Sequence, residues 1–217
     1  MKKLYLLTGL GATDYMFKNL VFPPNVKPVY LPWFDNDPGD TFSDFARRII
    51  ERYQMEEGNI ILGLSFGGII ASEIHKLLPQ KRIFLISSIS HVGQLPVLYR
   101  LPGMTKAAEG FVKRKKSLPA TAIAWPFQPM DDEDYPEIER IVHDISEQHT
   151  LWVIRNALNW DQSKPLGNIF HIHGTADRIF PDGRIRPDVK IEGGGHLMIL
   201  NRSAEINEIL KKELEGE

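Results

Sequence analysis

The chain of 217 residues has no cysteine. That excludes disulfides, thiolate metal sites and a cysteine nucleophile. It also fits a reducing compartment, so a cytoplasmic protein is expected. Neither charge is in strong excess: 26 Lys and Arg stand against 28 Asp and Glu, a formal net charge of −2. No whole-molecule field therefore argues for nucleic acid or an acidic membrane surface as partner. No apolar run approaches the roughly 18 residues that a membrane span needs. The stretch after Lys2 and Lys3 is short and broken by Thr8, Gly9 and Gly11. It reads as a core strand and not as a secretory signal. There is no internal repeat, and no glycine-rich loop closing on the Lys-Ser/Thr pair of a phosphate-binding loop. Nothing in the sequence sets an oligomeric state. What is present is an ordinary globular balance, 42% hydrophobic and 25% charged. One compact domain with a sizeable core, spanning residues 1–217, is expected.

Patterning supplies the layout. Short apolar runs at residues 3–8 (KLYLLT), 27–31 (KPVYL), 59–64 (NIILGL), 81–87 (KRIFLIS), 168–173 (NIFHIH) and 188–192 (DVKIE) read as strands. Thr13 or Asp14 is expected to cap a short helix after the first. Phe42, Phe45, Ala46, Ile49, Ile50 and Tyr53 recur at helical spacing, with Thr41 or Ser43 as N-cap and Gly58 as stop. A helix follows Ser65 and ends at Pro79. Another closes the chain, to about Leu214. Strand and helix alternating in this way predict a parallel sheet covered on both faces. Residues 91–165 break the rhythm. They carry Trp125, Trp152 and Trp160, a basic run (KRKK, 113–116) and an acidic run (DDED, 131–134). A mostly helical insertion is expected there, most clearly over residues 135–158. Both charge runs read as solvated surface, although the basic run is also suited to an anionic substrate.

The strongest local signal is Gly63-Leu64-Ser65-Phe66-Gly67, followed by Gly68. It sits between an expected strand and an expected helix, where G-x-S-x-G forms a turn too sharp for side chains at both glycine positions. Such a turn lifts the Ser65 hydroxyl over the sheet edge, beside the positive end of a helix. The plainer alternative is a glycine-rich turn with Ser65 as N-cap. A serine hydroxyl becomes a nucleophile only when a base takes its proton and a third group orients that base. Asp177, in HGTAD after the fifth strand, and His196, in GGGH after the sixth, supply that pair in chain order. Taken singly, Asp177 also reads as a turn-capping residue and His196 as a helix-terminal one. The remaining histidines are weaker candidates. His75 lies on the helix after Ser65, and His143 and His149 lie in the insertion. His171 and His173 belong to the fifth strand, His173 shaping the Asp177 turn. His91 is placed to border a pocket.

The pieces LTGLG, GLSFGG, HGTAD and GGGH, spread over residues 7–196, resemble the α/β-hydrolase superfamily. The resemblance implies a reduced α/β-hydrolase fold. About six parallel strands would carry helices on both faces and a helical cap at about 91–165, without the family's early antiparallel edge. It implies a serine hydrolase acting on a small-molecule ester or thioester, with Ser65, Asp177 and His196 catalytic and no cofactor or metal. Backbone N–H groups of Phe66 and Leu10 would form the oxyanion hole. Relatives often carry His-Gly where this chain has Thr8-Gly9, a change that leaves the backbone donor in place. Trp33, Phe34, Trp125, Phe127 and Trp152 are candidates for an apolar pocket, and equally for holding the cap on the sheet. Two rivals share the residues: a lyase or C–C hydrolase on the same triad, and a binding protein that kept the fold.

Overall fold

The structure, a computed structural model, describes residues 1–100, 103–114, 117 and 119–215. Six strands form one sheet: β1 (Lys2–Leu7), β2 (Val26–Tyr30), β3 (Ile60–Leu64), β4 (Arg82–Ile86), β5 (Ile169–Gly174) and β6 (Val189–Ile191). Their order is β2-β1-β3-β4-β5-β6, and every neighbouring pair is parallel. All five residues of β3 are buried. A strand covered on both faces requires that, and it explains the uninterrupted apolar run.

Helices α1 (Phe42–Arg52) and α2 (Phe66–Leu77) follow β2 and β3. Thr41 closes α1 with a capping box: its hydroxyl accepts the Asp44 N–H, and the Asp44 carboxylate accepts the Thr41 N–H. The helix stops at Arg52, short of the expected Gly58. Gln54 already takes a positive φ of 46°, and Gly58 turns the chain into β3 instead. From Phe66 to Ile74 every residue of α2 is buried, so no polar face is needed there. Thr13 makes no cap bond, and its hydroxyl donates to Glu137 instead.

The segment between β4 and β5 is helical: α3 (Met104–Arg114), α4 (Ala120–Ala124), α5 (Tyr135–Asp144) and α6 (Glu147–Leu158). The helix expected over 135–158 is two helices. Ser146 leaves the helical conformation and accepts the His149 N–H at 3.0 Å, capping α6 where α5 ends. A serine that satisfies a free N–H outside the helix competes with helical continuation. The acidic run is not wholly solvated. Asp134 is 2% exposed, accepting from the Tyr15 hydroxyl at 2.9 Å and Lys18 Nζ at 2.8 Å. On the opposite side His149 Nδ1 lies 2.9 Å from Asn36 Oδ1, and Trp152 Nε1 donates to the Asp40 carbonyl at 2.7 Å. These polar contacts fix the segment to loops on both sides of the sheet. Of the basic run, Lys113 and Arg114 are exposed at the end of α3, and Lys115 and Lys116 lie outside the described residues. Helices α7 (Met198–Asn201) and α8 (Ser203–Glu215) end the fold.

Alternation along the strands divides the core in two. Leu4, Leu62, Phe84 and Ile172 pack on one face with Leu210 of α8 and Ile138 of α5. Tyr5, Ile61, Ile83 and Leu85 pack on the other with α1, α2 and Trp152 of α6. The segment between β4 and β5 therefore straddles the carboxyl edge of the sheet. No helix among the described residues is long and apolar enough to cross a membrane.

Candidate active site

Ser65 joins β3 to α2 with φ 52° and ψ −121°. Such a backbone costs about 1–3 kcal/mol and persists only where its surroundings impose it. Here they do. The Ser65 N–H donates to the Ile86 carbonyl at 3.0 Å, and the Ser65 carbonyl accepts the Gly68 N–H at 2.9 Å and the Ser88 hydroxyl at 2.6 Å. The glycines are steric necessities. A Cβ at Gly63 would lie 2.5 Å from Gly68 Cα, and one at Gly67 would lie 2.3 Å from the Leu7 carbonyl oxygen.

Asp177 follows β5 on a tight turn. Its Oδ1 accepts the N–H groups of Ile179 and Phe180, each at 2.9 Å. Its Oδ2 lies 2.8 Å from His196 Nδ1. Burial pushes the carboxyl pKa up, but His196 and the Phe180 N–H outweigh it and hold it below the ordinary value. His173 supports the turn from beneath: Nε2 sits 2.8 Å from the Phe180 carbonyl, which only accepts, so Nε2 carries the proton. His196 follows β6 through a glycine run that crosses the Asp177 turn. A Cβ on Gly174 would fall 2.1 Å from the Gly194 oxygen. His196 is 2% exposed, with the rings of Phe127 and Phe180 at 6.2 and 5.7 Å. Its Nε2 lies 2.8 Å from Ser65 Oγ. An ionised Asp177 places the imidazole proton on Nδ1 and leaves Nε2 to accept from the serine.

The structure thus brings together Ser65, Asp177 and His196, three residues 131 positions apart at most along the chain. It brings Leu10 and Phe66 to the same place. Phe66 is the first residue of α2, so its N–H has no partner within the helix. Gly9 approaches so closely that a Cβ there would lie 3.5 Å from Ser65 Cβ, and Leu10 lines the cavity beside it. That cavity has a volume of about 470 Å³ and a mainly aliphatic wall. Of the five aromatic candidates only Phe127 lines it. Trp33 packs on Phe45 and Phe66 and donates to the Gly9 carbonyl at 2.9 Å. Phe34 packs on Phe45 and the Arg52 guanidinium. Trp152 ties α6 to the Asp40 loop, and Trp125 is 61% exposed against Arg178. Trp33, Phe34 and Trp152 hold loops and helices together, while Ile, Leu and Val make up most of the wall. His91 does not line the cavity, and its Nδ1 lies 3.2 Å from Ser90 Oγ. Among the described residues no three His, Asp or Glu side chains gather to hold a metal ion.

Ser88 and Phe180 support the site without any pattern in the sequence that marks them. Only His173, four residues before Asp177, stands where its place in the turn was legible.

The model of the alpha/beta hydrolase family matches residues 6–209. The chain is an alpha/beta hydrolase family member. Among solved structures, 497 chains are similar to it. A bromoperoxidase from Bacillus anthracis aligns at TM-score 0.72 and 14% identity, over 96% of this chain and 90% of its own. A thermophilic esterase aligns at 0.71 and 17%, over 100% and 90%. An esterase from Exiguobacterium antarcticum aligns at 0.66 and 16%, over 97% and 90%. At such identities the likeness speaks for the fold. A search of curated protein sequences finds no match to this family member.

Proposed function

We propose that the chain is a serine hydrolase that cleaves a carboxylic ester or thioester of a small substrate through an acyl-enzyme on Ser65. The observation that carries this reading is the unbroken hydrogen-bonded chain from Ser65 Oγ to His196 to Asp177, with both links at 2.8 Å. A nucleophile, a base and an orienting acid in contact are what acyl transfer requires.

Ser65 Oγ attacks the acyl carbonyl carbon while His196 Nε2 takes its proton. Asp177 stays ionised beside the imidazolium. The backbone N–H groups of Phe66 and Leu10 receive the developing oxyanion, helped by the positive end of α2. The tetrahedral intermediate collapses, the bond to the leaving oxygen or sulfur breaks, and His196 gives that atom its proton. Water, deprotonated by the same histidine, then attacks the acyl-enzyme and frees the acid and Ser65. Residues 91–165 act as the cap, seating Phe127 near His196 and keeping bulk water from the imidazole.

The test is covalent. Incubation with a fluorophosphonate should add one adduct to the intact mass of the wild type and none to Ser65→Ala, and His196→Ala should label far more slowly. A wild type that stays unlabelled under excess of a small reagent would sink the reading and favour a ligand-binding relative of the fold.

A further inference from the structure

The cavity at Ser65 reaches both sides of the sheet edge, and its walls divide between the two core clusters. On one side stand Met16, Ile138, Ile141 and Leu197, which pack with the Leu62 face. On the other stand Ile69, Leu95, Val153 and Phe180, which pack with the Ile61 face. Ser65, at the top of β3, lies between them with His196 beside it. An ester carbonyl carbon attacked by Ser65 carries two substituents, the chain of the acyl group and the alkoxy group, that diverge from it. The cavity has apolar wall on each side of the serine, and its two halves, called lobes below, offer a place for both.

The wall also says what those substituents are not. Among the described residues no Lys, Arg, Asp or Glu side chain lines the cavity. The two further hydroxyls among the described lining residues are already used: Tyr99 donates to the Ile179 carbonyl at 3.2 Å and Thr150 to the Ser146 carbonyl at 2.9 Å. A charged group carried into such a wall loses its water and gains no partner. At about 30 Å³ for each non-hydrogen atom, as in liquid water, the space holds about 16 of them.

We propose that the substrate is an uncharged carboxylic ester with an apolar group on each side of the scissile bond, one in each lobe. Thioesters of a charged carrier thiol, whose leaving side is polar, are the poorer substrates. The proposal rests on the reading of Ser65 as nucleophile and adds the substrate class. The bond broken joins the acyl carbon to the alkoxy oxygen. Water supplies the hydroxyl of the acid and the proton of the alcohol.

The experiment uses two ester series on the intact protein: ethyl esters from acetate to decanoate, and butyrate esters from ethanol to octanol. In both, kcat/KM should rise about fourfold per added methylene until a lobe is full. A carboxylate at the far end of the acyl chain, as in monoethyl adipate, should lower kcat/KM by about 10² or more relative to ethyl hexanoate. Ile138→Phe fills one lobe and Val153→Phe the other. Each should cut the long-to-short preference at least about tenfold in one series only, and the two should act on opposite series. Ile138→Ala and Val153→Ala, which enlarge the same lobes, replace either filler that fails to fold, and should shift the optimum to longer chains. Both fillers acting on one series, flat series, or equal turnover of the charged ester would overturn the proposal. Fluorophosphonate labelling run beside it separates the causes. An adduct with flat series removes only the substrate class, whereas no adduct removes the nucleophile and the substrate class together.

Discussion

The Asp177 carboxylate makes three hydrogen bonds among the described residues, and only one of them goes to His196. The two backbone donors fix the carboxylate, and the carboxylate fixes the imidazole. Asp177→Asn should keep this geometry while presenting the histidine with an amide. The amide can donate to Nδ1, which would move the ring proton to Nε2, where the serine needs an acceptor. We expect kcat to fall by about 10³–10⁴ with the fold intact, measured as ester turnover beside circular dichroism. Loss of less than about tenfold would mean that the acid is supplied elsewhere. Ser88 acts on the nucleophile from the other side. Its buried hydroxyl donates to the carbonyl of the strained Ser65, so Ser88→Ala leaves a positive-φ residue with one tether fewer. A stability loss of about 1–3 kcal/mol in urea unfolding is expected, with slower fluorophosphonate labelling. Unchanged labelling would show that the β3–α2 turn holds Ser65 without it.

The site is made where elements end, and the ends constrain one another. Gly67, in the first turn of α2, lies against the last residues of β1, with its virtual Cβ 2.3 Å from the Leu7 oxygen and 2.5 Å from the Thr8 oxygen. Neither backbone oxygen can move without displacing the loop that carries Leu10. Gly67→Ala should therefore part the two N–H groups proposed for the oxyanion, at a cost of about 10² in labelling rate for a displacement near 1 Å. A labelling rate within a factor of three of wild type would argue that Leu10 is not a donor. The α5–α6 junction, whose Ile145 and Thr150 line the cavity, makes a prediction about stability. Ser146→Ala removes the N-cap of α6, and about 1 kcal/mol of stability should be lost in thermal or urea unfolding. Full stability would mean that Trp152 and its bond to the Asp40 carbonyl hold α6 without the cap.

For the molecule as a whole, the six parallel strands and their alternation with helices were legible because burial writes itself locally: β3 is buried on both faces and reads as an unbroken apolar run. Ser65, Asp177 and His196 were legible for a related reason. Each follows a strand, and glycines mark the turns that no side chain fits. The cavity wall was not legible. It is drawn from β3, α2, the insertion and the loops after β5 and β6, and a lining isoleucine such as Ile138 has the same helical spacing as one that only packs. Aromatic residues misled because a large ring is as useful for fastening α6 to the Asp40 loop as for lining a pocket. The sequence placed His171 and His173 on the fifth strand, but it did not show that both imidazoles are buried. Burial, helped by neighbouring His173, lowers the pKa of His171 to about 3, and Asp177 and a hydrogen bond with Ser88 only partly oppose it. The folded chain thus refuses a proton that the unfolded chain takes up near pH 6.5. Below that value the unfolded state binds more protons, so stability falls as pH falls, by up to about 1.4 kcal/mol per pH unit until about pH 3. His173, also lowered mainly by burial, acts with the same sign. Asp177, whose folded pKa is depressed, adds its own loss below about pH 4. Urea midpoints at pH 7.5, 6, 5 and 4 should drop progressively below pH 6.5, and His171→Gln should flatten the slope by about one proton. A wild-type midpoint that holds steady from pH 7 to 4.5 would mean that His171 is charged or hydrated in the folded chain, and the packing beneath Asp177 would have to be looser than described.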